Sequence, residues 1–284
     1  MNEGTIADRL DADDWVGDMG AKWLANLDRF ESMIAPAGAA LMAHAAFVSG
    51  ERVIDVGCGA GGTTIEIAKA VGPAGEVLGI DISPQLIGEA VRRTQVADIG
   101  RVRFVTGDAT TLQPDGAPLD RLFSRFGTMF FSDFLAAFRN LRAMIRPGGR
   151  ADIAVWAPPA ENAWVLGMQE IIGRHVTMPA PVPHAPGPFG LGDSDFLRAL
   201  LEQAGFTAID LTLWRGEQLV GGSGADPDTA AEFALNAMSL GRVLDDVPET
   251  KQKVRSELTA LFTQHHARDA VRMSAAAWLV TAHT

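Results

Sequence analysis

Apolar residues recur along the chain with two different spacings, and the spacing changes near residue 50. Between residues 12 and 48, Trp15, Trp23, Phe30 and Ile34 are separated by helical intervals, which predicts helices. Beyond residue 50, short apolar runs alternate with amphipathic segments, as strands and helices do in a layered protein. The runs predicted as strands are 53–56, 76–80, 102–106, 119–124, 150–156, 207–214 and 275–282.

Helices are predicted between these strands, at 63–71, from Ser83 onward, at 133–145 and at 195–204. Gly72-Pro73 ends the first of them, and Pro84 occupies the first turn of the second. Alternation of this kind is typical of a parallel sheet covered by helices on both faces. The last predicted strand returns to pair with the sixth.

The segments after Trp156 are less regular. Residues 158–192 are rich in proline and are predicted to form an irregular insertion, Gly221–Gly224 a flexible joint, and 228–266 two helices that interrupt the sheet. The predicted organisation is an N-terminal helical lid (1–48), a cofactor-binding core (49–157), an insertion (158–192), the remainder of the core (193–220 and 274–284) and a helical insertion (221–273).

Composition narrows the class of protein. The 284 residues are 47% apolar, enough for one α/β domain with additions, and the net charge is −11 with Lys and Arg scattered. This distribution argues against nucleic-acid binding. A single cysteine, Cys58, cannot form an internal disulfide, which fits a reducing compartment. The acidic residues 1–8 do not resemble a signal peptide, and no apolar run approaches the roughly 18 residues of a membrane span. We predict a soluble cytoplasmic protein.

The most informative segment is Val53–Gly62, where a predicted strand is followed by a glycine-rich loop and a helix. Gly57, Gly59 and Gly61 lack the Cβ atom that would keep a ligand away from the backbone. The helix that follows directs free N–H groups toward the loop. The arrangement suits a cofactor that contains a nucleoside.

Two cofactors are compatible with this loop. The spacing Gly57-x-Gly59-x-x-Gly62 fits the dinucleotide fingerprint and would indicate an NAD(P)-dependent oxidoreductase. Asp55, however, is expected near the ligand, where it would repel a pyrophosphate and attract the positive charges of S-adenosylmethionine. The chain contains no tyrosine, which removes the Tyr/Lys proton relay of many short-chain dehydrogenases. Asp81 and Asp108 also stand at or just beyond strand ends, so the three acids are predicted to converge on one rim.

From about residue 50 to 156 the order of motifs resembles the core of the class I S-adenosylmethionine-dependent methyltransferases, of the bacterial small-molecule type. The motifs are Asp55-x-Gly57-x-Gly59-x-Gly61, Asp81 ending the second strand, Gly107-Asp108-Ala109, and Arg146-Pro-Gly-Gly149. With the Gly205-Phe206 corner, the resemblance covers most of residues 50–215. It implies an α/β fold with a doubly wound, mostly parallel seven-stranded sheet, its last strand antiparallel, and N-terminal helices and helical insertions forming a cap.

The resemblance also implies a set of cofactor-binding residues. Asp55 would hold the ammonium of the methionine part, directly or through water, and Asp81 would accept both ribose hydroxyls. Asp108 would accept from the adenine amino group while the Ala109 N–H reaches the ring. Ser124 to Phe126 would line the inner edge of the site. The complete set is Asp55, Gly57, Cys58, Gly59, Gly61, Asp81, Ile82, Asp108, Ala109, Ser124, Phe126 and Trp23.

The substrate side is less specific. Ser124–Gly127 lacks the Asp/Asn-Pro-Pro-aromatic motif of amino-methylating nucleic-acid enzymes, and Asp133 has no neighbouring acids to form a metal site. We therefore predict neither a nucleic-acid substrate nor a metal, and no membrane partner; a homodimer is compatible with the chain. None of the six histidines is assigned as a base. Aromatic residues predicted near the pocket are Trp15, Trp23, Phe126, Phe130, Phe131, Trp156, Trp164 and Phe189.

These aromatic residues favour a small, largely apolar metabolite as substrate. The predicted reaction is methyl transfer to O, N or C by in-line displacement. Two alternatives stay open: an NAD(P)-dependent oxidoreductase, and a non-methylating protein that retains the S-adenosylmethionine site, since fold does not determine function.

Overall fold

The computed structural model of the protein describes residues 12–97, 99–116 and 118–284. The prediction about a signal peptide concerns residues 1–8 and lies outside the described residues, as does the start of the predicted lid. Within the described ranges one sheet contains β1 (Arg52–Val56), β2 (Glu76–Asp81), β3 (Val102–Thr106), β4 (Leu119–Arg125), β5 (Ile145–Trp156), β6 (Thr207–Val220), β7 (His266–Ala267) and β8 (Ala270–His283).

The strands lie in the order β3-β2-β1-β4-β5-β8-β6, and β7 pairs only with β8. The first five are parallel, with Val53 of β1 beside Val77 of β2 and Arg121 of β4. Strand β8 runs antiparallel to both β5 and β6. The predicted α/β fold and antiparallel last strand are thus confirmed. The predicted number of strands omitted β7, whose two residues are too few to show a periodic pattern.

Helices cover both faces of the sheet. Consecutive residues of a strand point to opposite faces, and Val53, Ile54, Asp55 and Val56 of β1 are all at most 1% exposed. The helices are α1 (Ala12–Val16), α2 (Asp18–Ala25), α3 (Leu27–Ala45), α4 (Gly62–Val71), α5 (Pro84–Val96), α6 (Phe134–Ala143), α7 (Ala163–Gly173), α8 (Ser194–Gln203), α9 (Pro227–Asn236) and α10 (Pro248–Gln264).

The insertion at 158–192 is not irregular throughout, because it contains α7. Trp164, Met168 and Ile172 form the buried side of this helix, which packs against β8 and α10. The prolines stand before and after α7 rather than inside it. Because prolines are frequent in this segment, its composition did not predict a helix.

Gly221–Gly224 is an anchored turn rather than a free joint. Arg29 of α3 donates from Nη1 to the Gly221 carbonyl (2.9 Å), and the Ser223 N–H donates to Ser32 Oγ (2.9 Å). A Cβ atom on Gly222 would lie 2.7 Å from the Cα of Arg29. The turn therefore holds the start of the helical insertion, which contains α9 and α10, against the N-terminal helices.

Candidate functional site

A cavity lies beyond the carboxyl ends of the parallel strands, beside the point where the chain order reverses between β1 and β4. Residues at the strand ends line one side of it: Val56, Gly57, Gly59, Ile80, Asp81, Ile82, Gly107, Asp108, Ala109, Arg125, Phe126 and Gly127. Helices α1–α3 contribute Trp15, Met19, Trp23, Phe30, Met33 and Ile34. The strand order thus brings together residues that are far apart in the sequence.

The three glycines of the β1–α4 loop have different tasks. Gly57 packs against β4, since an added Cβ would stand 2.7 Å from the Cα of Gly127, and Gly61 packs against Ala90 and Phe104. Gly59 has a φ of +53°, and an added Cβ there would meet nothing within 4 Å. Gly57 and Gly59 both line the cavity. Gly59 is therefore the position at which the loop backbone is open to a ligand.

Asp55 is not among the residues that line the cavity, although its place before the glycines predicts a position near the ligand. Its side chain is fully buried at the start of α4, where Oδ2 accepts from Thr63 Oγ1 (2.8 Å) and Thr64 Oγ1 (2.6 Å). Its other oxygen, Oδ1, has no hydrogen-bond partner. Burial raises the pKa of Asp55 to about 6, while the two threonine hydroxyls oppose the rise. Asp55 therefore supports the loop from behind, and its contact with a ligand, directly or through water, stays a prediction.

Asp81 ends β2 and reaches the cavity wall. Its Oδ2 accepts from the Gly59 N–H (2.8 Å) and its Oδ1 from the Ser83 N–H (2.9 Å). Burial raises the pKa of Asp81, and these backbone N–H groups oppose the rise. Each carboxylate oxygen retains capacity for a further hydrogen bond. The carboxylate therefore positions the open glycine and presents acceptors to the cavity at the same time.

Asp108 and Ala109 follow β3 and also line the cavity. Asp108 Oδ1 accepts from the Thr110 N–H (2.8 Å), which fixes the turn, and the Ala109 carbonyl accepts from Asn140 Nδ2 (2.9 Å). Together with Asp81, Asp108 gives the cavity two carboxylates at the ends of neighbouring strands.

Two further predicted residues lie behind the wall. Cys58 is buried, with Sγ 3.8 Å from the Gly59 carbonyl, and burial raises the pKa of its thiol. Ser124 is buried and donates from Oγ to the Val56 carbonyl (2.8 Å), tying β4 to β1. The structure thus places Ile82, Phe126 and Trp23 on the cavity wall but not Asp55, Cys58, Gly61 or Ser124, whose side chains or Cβ positions face the protein interior.

Aromatic rings form much of the cavity wall. Trp23 stacks on Phe30 with ring centroids 4.2 Å apart, and Trp15 meets Trp23 edge-on at 5.6 Å. Phe126, which follows β4, stacks on Trp156 at the end of β5 (4.1 Å). Of the aromatic residues predicted for the pocket, all but Phe189 line it; Phe189 lies behind Trp164, at 6.0 Å. Phe126 adopts a φ of +60°, a strained conformation for a side chain of this size.

Sequence reasoning did not single out some of the wall residues. Met19, Met33 and Met238 line the cavity through flexible apolar side chains, and Ser239 follows the insertion helix α9. Arg125, inside the predicted range 124–126, is the one Lys or Arg on the wall among the described residues. Helical spacing could have indicated Met19 and Met33, but nothing local in the sequence indicates Met238 or Ser239.

The histidines lie away from the cavity wall. His175 bonds Glu257 through Nε2 (2.6 Å), His184 stacks on Phe196 (3.8 Å), and His44 bonds Thr281 (2.8 Å). Asp133 caps α6 by accepting from the Ala136 N–H (2.9 Å). Among the described residues there is no cluster of metal-binding side chains, and none of the described helices has the length and apolarity needed to cross a bilayer.

Comparison with known proteins gives the cavity a context. Residues 53–149 match the family described as methyltransferase domain. The chain is 28% identical over 176 residues to the demethylmenaquinone methyltransferase of Staphylococcus carnosus, across 59% of this chain and 72% of that protein. Proteins of the same name from Staphylococcus saprophyticus and Staphylococcus aureus are matched over 42% and 41% of their length. The chain thus spans less than half of these latter relatives.

Solved structures share the fold. The cyclase SpnF superposes with a TM-score of 0.56 at 16% identity, covering 98% of both chains. A SAM-dependent methyltransferase from Aquifex aeolicus gives a TM-score of 0.50 at 14% identity, covering 96% of this chain and 99% of that one. At such identities the likeness concerns the fold alone.

Proposed function

We propose that this chain, which belongs to the class I S-adenosylmethionine-dependent methyltransferases, binds S-adenosylmethionine in its cavity and methylates a small, largely apolar molecule there. The observation that carries the proposal is one cavity lined by two carboxylates, an open glycine and several aromatic rings. The carboxylates and the glycine suit an adenosyl group, and the aromatic rings suit an apolar acceptor.

The strand ends fit the adenosyl half of the cofactor. Asp81 has acceptor capacity for the ribose hydroxyls, Asp108 for the adenine amino group, and Ala109 presents its backbone next to Asp108. Gly59 leaves room for the chain that links ribose to methionine. Each hydrogen bond to a carboxylate of this kind contributes roughly 1.5–3 kcal/mol. We assign Asp55 a supporting role, because its carboxylate holds Thr63 and Thr64 at the start of α4.

Bound S-adenosylmethionine supplies a methyl group made electrophilic by the sulfonium. The chain's own residues then have to orient the acceptor and exclude water, which is sufficient for an in-line displacement at a good nucleophile. Phe126, Trp156 and Trp164 form a dry wall for this purpose. Aromatic faces also attract a sulfonium, by about 1–2 kcal/mol when water is excluded. No base is assigned.

The acceptor is proposed to be a small aromatic or similarly apolar metabolite, with O, N or C as the acceptor atom. The aromatic rings of the wall support an apolar acceptor, and relatives named for demethylmenaquinone methylation support a small molecule. We propose that helices α1–α3 act as a lid and that residues 221–273 form the roof. The proposed setting is the cytoplasm, without a nucleic-acid substrate; the proposal holds for a monomer or a homodimer.

Calorimetry tests the cofactor. Titration of the purified chain with S-adenosylhomocysteine and, separately, with NAD is expected to give saturable binding for the first alone. Binding of NAD alone would reject the proposal and favour an oxidoreductase.

Methyl transfer needs its own test. The chain is incubated with unlabelled S-adenosylmethionine and a panel containing demethylmenaquinone, naphthols and aromatic amines, and products are examined for a gain of about 14 Da, the mass of one added CH₂. Cofactor binding without any methylated product would favour a non-methylating protein, a role for which the cyclase SpnF is a precedent in fold.

A further inference from the structure

We propose that the guanidinium of Arg125 is the carboxylate receptor of the cavity. The proposal rests on the function proposed above and adds a residue to it. Arg125 ends β4 and lies on the cavity wall beside Phe126. Its side chain passes close to α3, where a Cβ on Gly38 would stand 2.8 Å from Arg125 Cδ and 3.0 Å from Nη1. The absence of a side chain on Gly38 leaves the space that the arginine occupies.

Arg125 has no partner in the part of the chain that the structure describes. Among the described residues, no hydrogen bond or ion pair reaches its guanidinium, although both terminal nitrogens of Arg121, four residues earlier in the same strand, are engaged. Arg121 donates to Asp152 (2.6 Å), to Glu51 (3.0 Å) and to the Ala45 carbonyl (2.6 Å). The two arginines lie on the same face of β4 because their separation is even. Arg121 is paired with groups of the protein, whereas Arg125 is available to a ligand.

Three acids act on Arg125 electrostatically, but none of them is hydrogen-bonded to it. Glu31 accepts two bonds from Arg93, at 2.6 and 3.1 Å, and Asp55 accepts from two threonine hydroxyls. Glu66, the third acid that acts on Arg125 electrostatically, is exposed at the surface. Burial lowers the pKa of Arg125, although the negative charges of these three acids act to raise it. The free energy of an enclosed, unpaired cation is unfavourable, so an anion entering the cavity gains by neutralising it.

The chemistry of the surroundings selects the type of anion. The planar guanidinium offers parallel N–H donors that match the two oxygens of a carboxylate. The same cavity is lined by the apolar residues Met33, Ile34 and Phe126. A monoanionic carboxylate leaves this environment neutral, whereas a dianionic phosphate would leave a net charge in it. Two molecules can bring the carboxylate: the amino-acid end of the cofactor, or an acidic acceptor.

The proposal is tested by binding measurements on Arg125→Met and Arg125→Lys. The matched control is Arg92→Met, which changes an exposed surface arginine. The cofactor arm compares S-adenosylhomocysteine with its decarboxylated analogue S-adenosyl-3-thiopropylamine, which keeps the amine. The acceptor arm compares 1-naphthoate with the neutral 1-naphthamide, with and without S-adenosylhomocysteine. The wild-type chain is expected to prefer the carboxylate in one arm by roughly tenfold to a hundredfold. Arg125→Met should abolish that preference, and Arg125→Lys should retain part of it.

Loss of preference in the cofactor arm assigns the carboxylate to the cofactor, and loss in the naphthoate arm assigns it to the acceptor. Retention of both preferences by Arg125→Met overturns the proposal. Thermal unfolding without ligand distinguishes ligand binding from a purely structural role of Arg125. Arg125→Met is expected to unfold at or above the wild-type temperature. A clear loss of stability with both carboxylate preferences kept would also overturn the proposal. If the wild-type chain binds neither adenosyl compound, the cofactor proposal fails, while naphthoate binding still tests Arg125.

Discussion

The cavity has two sides of different construction. The strand-end rim, defined by Gly57, Gly59, Asp81 and Asp108, is held by hydrogen bonds between residues close to one another on neighbouring strands, such as Asp81 to Gly59 at 2.8 Å. The helical cap, defined by α1–α3, α7 and residues 221–264, contributes mainly aromatic and methionine side chains. Phe30 stacks on Trp23 and also meets Phe233 of α9, with ring centroids 4.7 Å apart.

The difference has a physical consequence. Backbone hydrogen bonds are directional, so the rim presents its acceptors at defined points and tolerates little change. Apolar contacts are non-directional, and methionine in particular adapts to several shapes. A rim of this kind suits one constant ligand, and a cap of this kind suits a ligand that differs from one related protein to the next. Substitutions on the two sides should therefore have separable effects.

The largest effect is expected where the rim meets the core. Gly57→Ala places a Cβ 2.7 Å from the Gly127 backbone at a φ of +67°, and the free energy of unfolding should fall by about 2–4 kcal/mol. Gly59→Ala is the matched control, because its Cβ meets nothing, and it should lose only about 1 kcal/mol. Urea denaturation measures both. Equal stability of the two variants would show that Gly57 has no packing role.

Asp55 tests whether the rim depends on a buried carboxylate. Burial raises its pKa from 3.8 to about 6, so the folded state binds the proton more tightly than the unfolded state. The stabilising contribution of the protonated form is fully present below pH 3.8 and is lost as pH rises through about 6. Two pKa units correspond to about 3 kcal/mol.

Asp55→Asn removes this dependence. Relative to wild type, its free energy of unfolding should improve by about 2–3 kcal/mol between pH 4 and pH 8. Urea unfolding at both pH values, on both proteins, gives the number. A difference between the proteins that does not change with pH would contradict the assignment of the raised pKa.

Asp81 tests the ligand side of the rim. Asp81→Ala should weaken S-adenosylhomocysteine binding at least tenfold, about 1.4 kcal/mol, because ribose acceptors are lost and Gly59 loses its anchor. Asp133→Ala is the matched control: that carboxylate caps α6 and lies off the cavity wall. Calorimetry should show unchanged affinity for this control. Unchanged affinity in Asp81→Ala would remove its proposed role.

The smallest change in cofactor affinity is expected from a substitution in the helical cap. Trp164 of α7 is 4% exposed, lies 5.7 Å from Trp156, and lines the cavity as part of the helical cap. Trp164→Leu should leave S-adenosylhomocysteine affinity within about twofold while weakening 1-naphthol binding by roughly threefold to tenfold, because aromatic contact area is lost. Fluorescence titration of 1-naphthol supplies the second value. Parallel loss of both affinities would mean that rim and cap are one unit.

The sequence predicted the rim more fully than the rest of the site. Asp81 and Asp108 were identifiable because strand period and turn residues are local signals, and parallel strands present their carboxyl ends at one edge. Asp55 was placed correctly in β1, but it does not line the cavity as Asp81 and Asp108 do. Its direction depends on Thr63 and Thr64, whose hydroxyls draw the carboxylate behind the loop. Helix α7 was missed because the flanking prolines dominate the composition of its segment.

Local chemistry in the chain was therefore sufficient for the α/β order, the glycine loop, the two acids and the apolar nature of the cap. Tertiary structure alone decided which glycine is open, which arginine of β4 is left unpaired, and which aromatic rings meet. The reason is that each of these depends on what stands within a few ångströms from another element. Spacing along a chain determines which face a side chain occupies, but its neighbours across the fold are determined only by packing.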